Sequence, residues 1–169
     1  MKFSLNDSSD HRVCLENEKG KVVLLTLGYT HCADACPSTP ARLAQMRRLL
    51  EKDAEAVQVI FVTIDPDRDA GPFLQRYMRA FDPSFVGLHG VDNETDAAAT
   101  SFHADYRIGK FENEVLAEHT VDSYLVDGNG HMRVVLPHLH SAQQVVDGVR
   151  AVFADQADCT PRADSGLSS

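Results

Sequence analysis

The stretch KVVLLTLGYTHCADACPSTP, residues 21–40, decides the fold. Lys21 to Tyr29 is a continuous apolar run of strand length, the pattern of a strand buried on both faces. It leads directly into Cys32 and Cys36, with Pro37 following the second cysteine and Pro40 a little further on. Thr39 reads as an N-cap with Pro40 at the first helical position. Leu43, Met46, Leu49 and Leu50 then form one apolar stripe at helical spacing, so a helix is expected over about 40–53.

On the N-terminal side, His11 to Gly20 reads as a first strand and turn. On the C-terminal side, VQVIFVTI (57–64) is a second buried strand that ends in the polar DPDRD (65–69). GPFLQRYMRAF (71–81) places Phe73, Leu74, Tyr77, Met78 and Phe81 at helical spacing, and Tyr29, Phe73 and Phe81 are assigned to the core. SFVGLHG (84–90) is a short strand candidate. DNETDAAATSFHADY (92–106) reads as a helix capped by Asp or Asn, and RIGKFENEVLAEH (107–119) as a polar connection. TVDSYLV (120–126) and HMRVVL (131–136) flank DGNG, a hairpin signal. Ser141 and Gln144 make a capping box that opens a last helix to about Asp155, with Val145, Val149 and Val152 on one face. The expectation is a single α/β domain over 1–155 followed by a flexible tail, 156–169. The order β-α-β-α, a strand–helix insertion, then β-β-α suggests a thioredoxin-like mixed sheet flanked by helices. The cysteine segment falls at the carboxyl end of the first core strand, where ligands gather in open α/β sheets.

The 169 residues are 43% hydrophobic, enough for one well-buried core. A formal net charge of −9 argues against nucleic acid, because neutralising phosphates takes clustered Lys and Arg. The expected partner is a protein or a cation. No stretch reaches the roughly 18 apolar residues of a membrane span, and the charged residues Asp7, Asp10, Arg12, Glu16, Glu18 and Lys19 leave no signal-peptide apolar core. The chain therefore reads as soluble. Of its four cysteines only Cys32 and Cys36 are close in sequence, which does not make a disulfide scaffold.

In one regular helix, Cys32 and Cys36 would have Cβ atoms about 5–6 Å apart. A relaxed disulfide wants roughly 3.5–4.5 Å. A metal ion spans the wider gap more easily, but a helix starting near Pro40 leaves the pair in a loop of adjustable geometry. Disulfide and metal both stay open. The start of that helix stabilises a nearby thiolate, the form that binds metal and attacks disulfides. Two soft sulfurs favour Cu(I) or Zn(II), and a third ligand decides between an exposed three-coordinate copper site and a closed zinc site.

Together, GKVVLLTLGYTHCADACP, VTIDPDRD with an aromatic-rich helix after it, FVGLHG and EHTVDSYLVDGNG resemble the SCO1/SenC family, thioredoxin-like copper-binding assembly factors for cytochrome c oxidase. The resemblance implies that Cys32 and Cys36 bind copper, as Cu(I), Cu(II) or both, with His119 as the third ligand just before the third core strand. It favours Asp65 and Glu118 as residues that orient the metal ligands or dock a partner, with Glu118 beside His119 where the family commonly has aspartate. Ala33 stands where proline is common. The implied partners are oxidase subunit II, a periplasmic copper carrier and a thiol reductant. The implied location is the periplasm or an equivalent exported compartment, with an N-terminal anchor to the inner membrane. The alternative is a thiol:disulfide oxidoreductase in which Cys32 attacks and Cys36 resolves, reducing the cysteines of subunit II or of a copper carrier.

Other residues carry less. His31 reads as a surface histidine, although it adjoins a ligand. His138 and His140, at strand spacing, read as exposed, with a weak second metal site as the other reading. Asp65, Asp67 and Asp69 are read either as a site-orienting group or as a solvated turn in which Asp65 and Asp69 balance Arg68. Cys14 and Cys159 read as free thiols, with pairing in an oxidising compartment as the other reading, and His11, His89, His103 and His131 show no partner in sequence.

Overall fold

The computed structural model describes residues 3–31, 38–69, 71–91, 93–104, 106–111, 114–119, 122–138 and 140–158; along 107–111, 114–119 and 157–158 the backbone alone is described. The elements in chain order are β1 (Ser4–Asn6), β2 (Arg12–Cys14), β3 (Val22–Gly28), α1 (Ser38–Leu50), β4 (Val57–Thr63), α2 (Pro66–Asp69) and α3 (Pro72–Arg79). Then follow β5 (Val86–Leu88), α4 (Glu94–Ser101), β6 (Tyr106–Phe111), β7 (Glu114–His119), β8 (Ser123–Val126), β9 (Met132–Leu136) and α5 (Ala142–Asp158).

The central sheet has the order β5-β4-β3-β8-β9. β3, β4 and β5 run parallel, β8 runs antiparallel to β3, and β9 runs antiparallel to β8. Every residue of β3 is buried, which is why its sequence is apolar without alternation. Its side chains divide between two cores. Val22 and Leu24 meet α1, α3 and α5 on one face, and Val23, Leu25 and Leu27 meet the N-terminal hairpin and α4 on the other. A mixed sheet between helical layers is the thioredoxin-like arrangement expected.

Several expectations need correction. Helix α1 opens at Ser38, so Thr39 is a buried residue inside it and not its cap. It ends at Leu50, where Glu51 takes a positive φ of 52° and the chain continues as a 3-10 turn, Glu51–Ala56. Leu43, Met46 and Leu50 are buried, but Leu49 lies one position round the helix and is exposed. The polar segment 107–119 is not a connection but a two-stranded ribbon, in register from Tyr106↔His119 to Phe111↔Glu114. Main-chain bonds hold such a ribbon, so apolar periodicity gave no signal of it. The N-terminus holds a hairpin, β1 with β2, where one strand was expected. Phe73 is not core but 39% exposed. The last helix runs past Asp155 to Asp158, so the tail expected from residue 156 begins within it, and 159–169 lie outside the described residues.

The β8–β9 hairpin and the last cap follow their sequence signals. Gly130 takes a φ of 84° and its N–H bonds Asp127 O at 2.9 Å. The Ser141 N–H donates to Gln144 Oε1 at 2.7 Å, and the Gln144 N–H to Ser141 Oγ at 3.2 Å, a complete capping box.

Candidate metal centre

The cysteine segment leaves the sheet at the carboxyl end of β3. Cys32, Ala33 and Cys36 lie outside the described residues, and the structure fixes what stands on either side of them. On the entry side, Ile64 N–H donates to Gly28 O at 2.9 Å, keeping the exits of β3 and β4 in step. The Thr30 N–H then donates to Asp69 Oδ2 at 2.7 Å, and the Thr30 hydroxyl to Asp69 Oδ1 at 2.5 Å. The Thr63 hydroxyl, at the end of β4, donates to Asp69 Oδ2 at 2.9 Å. His31 Nδ1 lies 3.2 Å from Asp69 Oδ1 and 3.1 Å from Thr30 Oγ1. Asp69 is fully buried, and these bonds are how a polar group is tolerated there. The His31 ring stacks on Phe73, centroids 5.9 Å apart at 24°, and the Arg76 guanidinium carbon sits 5.9 Å from the Phe73 centroid.

Of the three aspartates read as a site-orienting group, Asp69 is the one that meets the entry to the cysteine segment, whereas the family resemblance favoured Asp65. Asp65 pairs with Arg68 at 2.5 Å, Asp67 is exposed, and Asp69 takes no part in balancing Arg68. The signal was Pro66 directly after Asp65. Proline is favoured at a helix's first position, and one helical turn over Pro66–Asp69 carries Asp69 back beneath Thr30.

On the exit side, α1 carries no acidic side chain in its first turn, so its positive end is not neutralised there by its own residues. His119 is the last residue of β7, opposite Tyr106, and Glu118 stands opposite Arg107. The Tyr106 hydroxyl donates to Asp96 and ties the ribbon to α4. Beyond the ribbon, the Thr26 hydroxyl bonds Asp122 O at 3.4 Å and Ser123 pairs with Thr26. The chain following His119 thus joins β3 near the end from which the cysteine segment departs.

His138 and His140 stand in a turn, not a strand, with the His140 N–H bonding Pro137 O at 2.9 Å. His140 is buried, against the exposure expected of it, because the turn folds it in at the start of α5. His89 is also buried, with Asp10 at 3.6 Å. Cys14 is a free thiol near Ser4 Oγ at 3.4 Å, and Cys159 lies outside the described residues. Among the described residues no helix is long and apolar enough to cross a membrane.

The SCO1/SenC family model matches residues 1–154. The mouse protein named SCO2 homolog, mitochondrial, is 32% identical over 156 residues, covering 90% of this chain and 61% of the relative. The chain spans about three fifths of the length of the mammalian relatives it matches. Arabidopsis thaliana ScoI, solved with copper bound, superposes with a TM-score of 0.84 at 27% identity, covering 92% of this chain and 98% of that one. Bradyrhizobium japonicum ScoI, also solved with copper bound, gives 0.81 at 28% identity, with 90% and 98% covered.

Proposed function

The chain belongs to the SCO1/SenC family, and from that premise we propose that it carries one copper ion on Cys32, Cys36 and His119 and delivers it to the dinuclear copper centre of cytochrome c oxidase subunit II. The observation that carries the reading is the carboxyl end of β3, the central strand of the sheet. The cysteine segment leaves β3 there, ahead of a helix start whose first turn holds no acid, and the strand that follows His119 is paired with β3 at the same end. Relatives of this fold have been solved with copper bound. The donor chemistry agrees: two thiolates suit Cu(I), and neutral imidazole serves copper in either oxidation state. Three protein donors leave room for an incoming cysteine of the acceptor to displace one of them, which is how a carried ion is given up. An exported compartment, with a tether to the inner membrane, a copper carrier upstream and a thiol reductant, belongs to the same reading. In this reading Asp65, paired with Arg68, orients the site or meets the acceptor.

The reduced protein titrated with Cu(I) against a competing chelator is expected to bind one equivalent, and His119→Ala to bind it clearly less tightly. Absence of binding by the unaltered chain overturns the reading. The same helix end favours thiolate attack on a disulfide, so reduction of the acceptor's cysteines is the second reading. The two separate on a Cys36→Ser chain. As a reductant it traps a mixed disulfide with the acceptor through Cys32, whereas as a carrier it only loses copper affinity.

A further inference from the structure

The corner where β9 gives way to α5 holds buried polar atoms that the reading above does not use. The His140 side chain is almost wholly buried, and its Nδ1 lies 2.5 Å from Pro137 O. A carbonyl oxygen only accepts, so Nδ1 carries the proton and Nε2 presents a bare lone pair. That Nε2 is buried with no hydrogen-bond partner among the described residues, and so is His138 Nδ1. Ser123 Oγ is a third such atom. It faces the same helical layer as Leu125, two residues along β8, and its ladder partner is Leu136, at the end of β9. Arg42 of α1 donates to His138 O at 2.7 Å and straps the turn to the helix.

A buried nitrogen left unpaired costs free energy unless something occupies it. A backbone carbonyl on one ring nitrogen with the other left bare is the arrangement that orients an imidazole toward a metal. Burial is the main cause that lowers the His140 pKa, with Arg42 and His138 adding to it and the Pro137 carbonyl and Asp122 opposing. The ring is therefore kept neutral, as a ligand must be. Two imidazoles suit a divalent first-row ion, and copper heads that order.

We propose that His138 and His140 form a second metal site, built on imidazole, that takes Cu(II) at the start of α5. It does not rest on the delivery reading. The test uses the full chain with Cys32→Ser, Cys36→Ser and His119→Ala together, titrated with Cu(II) alone in glycine-buffered solution. One equivalent is expected, with nitrogen coupling in the electron paramagnetic spectrum and selective broadening of the His138 and His140 ring resonances. In that background His138→Gln or His140→Gln is expected to weaken binding by about tenfold or more. A triple variant that binds no Cu(II), binding undiminished in both glutamine variants, or broadening confined to the exposed His11, His31, His103 and His131 each overturns the proposal. The ring resonances are read with the turn intact, so a His140 variant that fails to fold does not hide the answer. Because the three delivery donors are absent throughout, failure here leaves that reading standing.

Discussion

Two buried aspartates, Asp69 and Asp127, stand at opposite ends of β3, in nearly the same chemical surroundings. Asp127 accepts the N–H groups of Asn129 at 2.9 Å and His131 at 3.0 Å, pairs with Arg133 at 3.1 Å, and has the exposed His131 ring 3.6 Å away. Asp69 likewise takes a backbone N–H and has an exposed histidine beside it, but its other donors are the hydroxyls of Thr30 and Thr63. The difference is in sequence span. The partners of Asp127 lie within its own hairpin, so it closes a turn. Those of Asp69 come from the exits of two neighbouring strands, so it sets where the chain stands as it enters the cysteine segment. One carboxylate closes a turn, and the other ties together the exits of two strands.

That contrast is tested first where the expected effect is largest. Asp69→Ala leaves the Thr30 N–H and two hydroxyls without their acceptor in a buried place, and is expected to cost about 3 kcal/mol of stability. Urea unfolding followed by circular dichroism measures it. A cost below about 1 kcal/mol would mean that water or a shifted neighbour replaces the carboxylate, and that Asp69 fixes little.

Asp127→Asn is expected to cost less, about 1–2 kcal/mol, because the amide oxygen still accepts from the turn while its NH2 faces Arg133. Its mark is in the pH dependence. Burial alone would raise the Asp127 pKa, but the N–H groups of His131 and Asn129, with Arg133, outweigh it and hold it below 3.8. The folded state then binds fewer protons than the unfolded chain just below that value. The contribution is fully present above about pH 3.8 and is lost as the pH falls through the lower, folded value. Unfolding curves from pH 7 down to about pH 3 should show the gap between the unaltered chain and Asp127→Asn closing only in the acid range. A gap constant across that range would remove the linkage.

The sheet was legible in sequence because its strands had no choice of face. Val22–Gly28 and Val57–Thr63 are buried on both sides, and unbroken apolar runs are the mark of that. The last helix was legible because its cap is local, Ser141 with Gln144. The β6–β7 ribbon was not, since its order lies in backbone pairing that side-chain type does not report. At the candidate centre the same division holds. Cys32 and Cys36 announce themselves by spacing, and His119 entered through family resemblance. For Asp69, Pro66 marks the local helical turn, but the contact it makes joins residues nearly forty positions apart, which that local signal does not reveal. His140 was misjudged for a related reason: in a turn, the fold beyond it decides burial, not alternation along a strand.

The smallest effect on stability is also the one that sharpens the comparison most. Thr30→Val keeps the backbone bond to Asp69 and removes only the hydroxyl, which bonds both Asp69 and the His31 ring. The expected cost is about 1 kcal/mol. If the Asp69 cluster positions the entry to the cysteine segment, the consequence for the site is out of proportion to that loss. Outer partners of a metal site commonly carry tenfold or more in affinity. Cu(I) affinity under chelator competition is therefore expected to fall by about tenfold in Thr30→Val and to stay unchanged in Asp127→Asn, although the second variant is no more stable than the first. Alkylation of the reduced protein gives an independent reading, since the rate at Cys32 should change in Thr30→Val alone. Equal losses of affinity in both variants would trace the effect to general stability and make Asp69 a second Asp127, a turn-former that happens to lie near the cysteines.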